Sequence, residues 1–224
     1  MVMDGPMGIS TTMTDIQNDM MILQNWFSPA FPIGAFSYSH GLETAIQEEV
    51  VTDRNSLFAW ISYLLSHGSG RNDALFIKAA YEGVNGVNEL CLALSGCKER
   101  YQEVLELGNA FTRIYNSSYD ERLAENLSYP VVIGMAAKKK KMNLELTTQS
   151  YLQAFATNLI SVGIRIIPIG QQAGQDCLID LYPVIQDVIK KNKFATIDDL
   201  GTSTFIADIM AIKHENAVPR IYRT

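Results

Sequence analysis

Apolar residues recur at intervals of three and four positions through most of this chain, and this spacing constrains its fold more than any other feature. The pattern runs through residues 16–27, 57–65, 152–166 and 177–188. Such a period places the apolar side chains on one face of an α-helix. Sustained alternation with hairpin turns is absent from the sequence, and so is a long internal repeat. The sequence therefore predicts an all-α protein, a single-domain helical bundle of roughly nine or ten helices joined by short loops.

Glycine, proline and capping residues divide this pattern into individual helices. The first helix must stop before Pro29, because proline disfavours helical geometry in the residue that precedes it. Asp53 is a candidate N-cap for the third helix, which the Gly68-Ser-Gly70 sequence ends. Gly83 and Gly86 predict an interruption of the helical pattern that follows.

Three segments of unusual composition have structural interpretations. Arg165 lies in an otherwise apolar stretch and is either a buried, hydrogen-bonded arginine, which we favour, or a partner contact. Gly170-Gln-Gln-Ala-Gly-Gln175 is only faintly similar to a phosphate-binding loop, since it lacks a lysine and follows a helix, so it predicts a turn between helices. Lys138–Lys141 ends a predicted helix, where cations complement the helix dipole. Contact with an acidic partner is the alternative for these lysines.

Composition indicates a folded protein with little affinity for nucleic acid. Hydrophobic residues make up 47% of the chain and charged residues 19%, with a net charge of −6. Binding the phosphate backbone of nucleic acid requires a basic face. Residues 1–14 mix Gly, Pro, Ser, Thr and Met without a period and predict a flexible N-terminal segment. No linker composition divides residues 15–224, which predict a single all-helical domain.

The cysteine content and the apolar stretches indicate a cytoplasmic protein. The three cysteines form no CxxC pair, and an odd number cannot be fully paired within one chain. The N-terminal residues lack the basic and apolar regions of a secretory signal. Segment 159–169, the most apolar stretch, is too short to span a membrane and contains Arg165. We therefore expect no membrane association.

Residues 28–43 form the most distinctive segment, with two prolines, two glycines and three aromatic residues in sixteen positions. The prolines favour extended geometry in the residues before them, and the glycines permit backbone conformations closed to other residues. The segment predicts a constrained loop. Its aromatic residues either pack beneath the helices or shape a contact surface, and from composition alone the buried arrangement is the more common.

Residue patterns typical of enzymes are largely missing. The sequence has no phosphate-binding P-loop, no dinucleotide-binding glycine pattern, no nucleophile elbow and no paired zinc histidines. Ser95-Gly-Cys-Lys98 fits the SxxK pattern of acylating enzymes but stands without its partner motifs. His40 and Glu43 could form half of a metal site across a dimer axis, although a hydrogen-bonded His40 without a metal is favoured. We predict no metal site and no bound cofactor.

Several motifs resemble those of the urease accessory protein F family and occur in that family's order. The first is the segment Ser28–Glu43, with its Pro-Ile-Gly loop and Gly-Leu-Glu end. The others are Gly70-Arg-Asn-Asp73, Tyr129-Pro-Val-Val-Ile-Gly134, Asn158–Gln172 and His214-Glu215. The C-terminal residues depart from the family pattern, because Pro219 and Ile221-Tyr-Arg-Thr224 replace its usual ending. Together these motifs cover almost the whole chain from residue 24 onward.

The resemblance implies an all-helical homodimer without catalytic activity of its own. Such a protein acts as an adaptor between a scaffold accessory protein, bound to apo-urease, and a nickel-carrying P-loop GTPase. It influences GTP hydrolysis and helps to route nickel into urease, while nickel and GTP are carried by the GTPase. Two alternatives remain, a generic helical adaptor and a hydrolase that uses Ser95 and Lys98.

The resemblance and the loop composition together give a set of candidate partner-binding residues. The loop supplies a stiff aromatic surface, which limits the entropy lost on binding. The C-terminal tail, residues 217–224, is expected to be mobile and to bind the scaffold protein. Arg71 and Asp73 either pair with each other or contact a partner. The complete set is Pro29, Phe31, Phe36, Tyr38, His40, Glu43, Arg71, Asp73, Arg220, Tyr222 and Arg223.

Overall fold

The computed structural model describes residues 13–224, and across this range the chain forms ten α-helices and no β-strand. Short 3-10 helices lie at Ala35–Ser37 and Ile197–Asp199. The all-α prediction and the predicted number of helices are confirmed. In chain order the helices are α1 (Met13–Trp26), α2 (Leu42–Gln47), α3 (Arg54–His67), α4 (Ser69–Glu82), α5 (Val87–Ala93), α6 (Lys98–Ser118), α7 (Tyr129–Lys139), α8 (Leu144–Ile166), α9 (Gly170–Asn192) and α10 (Phe205–His214).

Most of the predicted helix ends are observed. Helix α1 ends at Trp26, before Pro29. Asp53 caps α3, because its carboxylate accepts a hydrogen bond from the Ser56 amide at 2.8 Å while the Ser56 hydroxyl accepts one from the Asp53 amide at 3.0 Å. Helix α4 ends at Glu82 and α5 begins at Val87, so the predicted interruption is confirmed. Of the predicted flexible segment 1–14, residues 1–12 lie outside the described part of the chain and the last two belong to α1.

Two predictions on α8 and α9 are wrong. Arg165 is exposed, because it follows Thr157 and Ser161 at four-residue spacing on the outer face of α8. Residues 170–175 form the first turns of α9 and not a turn between helices. The turn is confined to the start of the helix, where Gly170 has a left-handed φ of 76°, and the residues after it are helical.

The core extends from α1 to the C-terminal residues. Helix α8 lies near its centre and packs against α1, α2, α3, α4, α7 and α9. One cluster of buried side chains runs from Leu23 to Tyr222, and a smaller one joins α4, α5 and α7. Trp26 is fully buried and meets the ring of Phe111 edge to face, with centroids 5.2 Å apart. In the described range no helix is both long and apolar enough to cross a membrane.

Candidate partner-binding site

Residues 27–41, between α1 and α2, form an ordered segment that we call the proline-glycine loop. Helix α8 fixes its middle, because the Asn158 side chain donates hydrogen bonds to the carbonyl oxygens of Ala35 at 2.9 Å and Tyr38 at 3.1 Å. Gly41 ends the loop with a φ of 74°, a conformation that favours glycine. The predicted constrained loop is therefore present, held from within by a core helix.

The aromatic residues of the proline-glycine loop divide into a buried and an exposed set. Phe31 is buried, with its ring centroid 5.5 Å from that of Phe111, and Tyr38 is buried as well. Phe36 is 58% exposed, and Pro29 is exposed as well. Pro29 and Phe36 are thus placed to touch a partner, whereas Phe31 and Tyr38 support the loop from inside. That the loop forms a contact surface stays a prediction.

The C-terminal segment, residues 215–224, folds back onto the proline-glycine loop. The Arg223 amide donates to the Ser37 carbonyl at 2.8 Å, and the Ser39 amide donates to the Thr224 carbonyl at 2.9 Å. Tyr222 and Thr224 are buried. The expectation of a mobile tail is therefore wrong, because these residues have polar partners and a buried face within the same chain.

Glu43 of α2 anchors the C-terminal segment through its backbone. One carboxylate oxygen accepts the Ile221 amide at 2.7 Å, and the other accepts the Tyr222 amide at 2.8 Å. Glu43 is almost completely buried. A buried carboxylate is tolerated only when its oxygens are hydrogen-bonded, and here the amides of the C-terminal segment satisfy them.

His214, at the end of α10, joins α2 to α6. The ring is fully buried, with Nε2 3.1 Å from a Glu43 oxygen and Nδ1 2.8 Å from a Glu99 oxygen. Both ring nitrogens therefore lie within hydrogen-bond distance of a carboxylate oxygen, and the ring links Glu43 to Glu99. Arg220 pairs with the other Glu99 oxygen. His214 and Arg220 thus contact two buried glutamates at the point where the C-terminal segment begins.

Arg223 and Tyr38 share the carboxylate of Glu106 on α6. The Tyr38 hydroxyl donates to Glu106 at 2.8 Å, and the two terminal guanidinium nitrogens of Arg223 lie 2.8 and 3.0 Å from its oxygens. The guanidinium carbon lies 5.3 Å from the centre of the Tyr38 ring. Burial, together with the Glu106 carboxylate, raises the pKa of Tyr38. Two predicted partner-binding residues therefore contact each other, one buried and one exposed.

His40 contacts α6. Its Nε2 lies 3.0 Å from Glu103, which also pairs with Arg100. Burial lowers the pKa of His40. Burial alone would raise the pKa of Glu103, but Arg100 and His40 outweigh it and lower the pKa to about 2. The predicted hydrogen bonding of His40 is observed, and the absence of a metal at this residue stays a prediction.

Comparison with known proteins assigns the chain to a family. A family model described as UreF matches residues 51–182. Urease accessory protein UreF 1 of Brucella anthropi is 38% identical over 225 residues, covering 96% of this chain and 99% of its own. Urease accessory protein UreF of Ruegeria pomeroyi is 39% identical over 216 residues, covering 94% of this chain and 99% of its own. The chain belongs to the UreF family.

Three glutamates of this UreF-family chain were missed by sequence reasoning. Glu99, Glu103 and Glu106 lie on one face of α6, and each contacts the C-terminal segment. Their spacing of four and three residues was visible in the sequence and indicates a shared helix face. That signal, set beside Arg220 and Arg223, could have predicted an acidic surface opposite a basic tail.

Arg71 and Asp73 do not pair with each other in this UreF-family fold. Arg71 donates to the Asp199 carbonyl at 2.6 Å, and Asp73 accepts the Tyr151 hydroxyl at 2.7 Å. Asp73 is buried, which raises its pKa to about 6 against the opposing effects of Arg100 and Tyr151. Both residues therefore have structural partners, on different sides of α4.

His40 and Glu43, considered as half of a metal site, contact different residues within the chain. His40 faces Glu103, whereas Glu43 faces His214 and the C-terminal segment. Over residues 13–224 no group of three or more His, Cys, Asp or Glu side chains is arranged to hold a metal ion. The Ser95 hydroxyl donates to the Cys91 carbonyl at 3.3 Å, and Lys98 is exposed at the start of α6.

Proposed function

We propose that this protein is a non-enzymatic adaptor of urease maturation in the cytoplasm. It acts as a homodimer that bridges a scaffold accessory protein, bound to apo-urease, and a nickel-carrying P-loop GTPase. In this role it regulates GTP hydrolysis and nickel insertion, while the GTPase carries both nickel and GTP. The observation that carries the proposal is the identity of 36–39% to proteins named urease accessory protein UreF over nearly the whole chain.

An exposed apolar surface supports an adaptor function. Helix α10 presents an outward row of apolar side chains, and Val218 and Ile221 on the C-terminal segment are exposed as well. Contiguous exposed apolar surface of this kind marks protein interaction sites. The helix row consists of Phe205, Ile206, Ile209 and Ile212, which are between 50% and 70% exposed. We assign this surface to the scaffold protein.

The proline-glycine loop supplies the second proposed contact. Phe36 and Pro29 are exposed on a loop whose backbone is already fixed by Asn158, so little entropy is lost when a partner binds. Arg223 lies beside Tyr38 on the same side of the molecule. The C-terminal segment covers part of the loop, through the hydrogen bonds that join Arg223 to Ser37 and Ser39 to Thr224.

Light scattering coupled to size-exclusion chromatography tests the proposal. The purified chain is run alone and with the cognate scaffold protein and GTPase, and we expect a dimer that joins both into one complex. Ile209→Asp should abolish scaffold binding, since a charge in an apolar contact is costly. Ile179→Asp on α9 is the matched control, because Ile179 is 56% exposed and Ile209 is 50% exposed.

Two results would contradict the proposal. If the wild-type chain binds neither partner at low and moderate salt, the proposed adaptor function is wrong. If the Ile209 and Ile179 variants lose scaffold binding equally, the α10 surface is not the specific binding site of the scaffold protein. Turnover of an ester substrate by the chain alone would favour the hydrolase alternative instead.

A further inference from the structure

A half-enclosed cavity of about 280 Å³ lies between α4, α6 and α10. Leu64, Phe76 and Val104 give it apolar walls. Asp73 and Asp208 enter it from different helices, so the cavity brings two carboxylates together that are far apart in the sequence. Of these two carboxylates, Asp73 also accepts the Tyr151 hydroxyl at 2.7 Å.

The negative charge in the cavity is not balanced. Arg100 also lines it, but Arg100 pairs with Glu103, which neutralises its charge. Within the described chain neither Asp73 nor Asp208 forms an ion pair. Asp208 accepts only a long hydrogen bond, 3.4 Å, from Thr202. Burial raises the pKa of Asp208 as it does that of Asp73, in spite of the nearby Arg100.

Uncharged groups around the cavity add further hydrogen-bond acceptors. His40 lines it and is only 8% exposed, and its Nδ1 has no hydrogen-bond partner in the described part of the chain. Nε2 lies closer to the Glu103 carboxylate, at 3.0 Å, than to the Arg100 guanidinium, at 3.4 Å. Nε2 therefore carries the proton, and Nδ1 is an unfilled acceptor. Ser69, also in the lining, has a buried hydroxyl without a partner among residues 13–224.

We propose that this cavity binds the guanidinium or ammonium group of an arginine or lysine side chain that belongs to a partner protein. Two carboxylates that form no ion pair within the described chain and an unfilled imidazole nitrogen suit a cation with several N–H donors. The apolar walls suit the methylene stem of such a side chain. At about 280 Å³ the cavity is near the lower limit for small-molecule pockets, which is enough for one side chain. Only the assignment to a partner protein rests on the proposed adaptor function.

Calorimetric titration of the full-length chain with butylguanidinium chloride tests the cation site. N-butylurea serves as the uncharged probe of the same shape, at matched ionic strength. We expect butylguanidinium to bind and N-butylurea not to bind. Asp208→Asn should weaken butylguanidinium binding by roughly tenfold or more, the usual effect of losing a charged hydrogen bond. Asp198→Asn removes the same charge from an exposed position outside the cavity and should change nothing.

Several outcomes would overturn the cation site. These are no heat from butylguanidinium, equal binding of N-butylurea, and equal losses in the Asp208 and Asp198 variants. Circular dichroism checks that the Asp208 variant is folded. If it is not, Asp73→Asn takes its place, and retention of full affinity by that variant would count equally against the site.

The partner assignment has a separate test in the assembled complex. Millimolar butylguanidinium should weaken binding of the scaffold protein or the GTPase to the wild-type chain, while N-butylurea should not. If butylguanidinium binds the isolated chain but leaves both complexes unaffected, the cavity takes a free organic cation and the partner assignment is wrong. Failure of the adaptor function itself appears differently, as the absence of any complex before a probe is added.

Discussion

At the scale of single residues, Asp73 makes stability depend on pH. Burial raises its pKa from 3.8 to about 6, so the folded state binds this proton more tightly than the unfolded state does. Stability therefore falls as the pH rises from about 4 to 6, and the loss, roughly 3 kcal/mol as an upper limit, is complete above that range. Asp73→Asn keeps an oxygen that accepts the Tyr151 hydroxyl and removes the titration.

Urea unfolding at several pH values measures this effect. We expect the unfolding free energy of Asp73→Asn, relative to wild type, to increase between pH 4 and pH 6 and then to level off. Subtracting the wild-type curve removes the contribution of other groups, provided that the variant leaves them unchanged. Asp198→Asn, at an exposed position, should give a flat difference. A flat difference for Asp73 as well would show that its carboxyl titrates normally.

At the scale of elements, the contact between α2 and α10 depends on one glycine. A Cβ atom added to Gly41 would lie 2.7 Å from the Ala211 amide nitrogen and 3.0 Å from the Ala207 carbonyl oxygen, both backbone atoms of α10. Gly34 is the matched control, because its φ of 78° is close to the 74° of Gly41 but its added Cβ would meet nothing within 4 Å.

Alanine substitutions at these two glycines separate the free-energy cost of backbone strain from that of disturbed helix packing. Gly34→Ala should cost only the strain of its positive φ, roughly 1–2 kcal/mol. Gly41→Ala should cost at least about 1 kcal/mol more, because α10 must move away from α2. Urea unfolding gives both costs, and hydrogen exchange should show α10 less protected only in the Gly41 variant. Equal losses of unfolding free energy in the two variants would mean that α10 moves to accommodate the added methyl group without losing stability.

The sequence predicted those features of the fold that depend on residues close together in the chain. The cap at Asp53 and the stop before Pro29 depend on residues within a few positions, and both were found. The position of the C-terminal segment depends on contacts such as that between Glu43 and Ile221, 178 positions apart. No local pattern encodes such a pairing, so the tail was expected to be free. Arg165 was predicted to be buried because its neighbours in sequence are apolar. It is exposed, because its position on α8 places it on the outer face of the helix.

At the scale of the whole molecule, the C-terminal segment is part of the folded structure. It satisfies Glu43 with two amides, pairs Arg220 with Glu99 and Arg223 with Glu106, and buries Tyr222. The proposed scaffold surface on α10 and the proline-glycine loop both border this segment. An effect of tail removal on partner binding therefore includes an effect on stability, and the two must be measured separately.

Deletion of residues 217–224 should leave helix content nearly unchanged, because the segment lies beyond α10, but should lower the unfolding free energy. The loss of charged hydrogen bonds to Glu43 and of the buried Tyr222 ring predicts a decrease of about 3 kcal/mol or more. Arg223→Gln keeps the backbone contacts and removes a partly exposed ion pair together with the contact on the Tyr38 ring, so it should cost only about 1 kcal/mol. Circular dichroism and urea unfolding give both quantities. If the deletion were as stable as the Arg223 variant, the docked segment would contribute little to folding, and any loss of scaffold binding would then reflect the missing contacts alone.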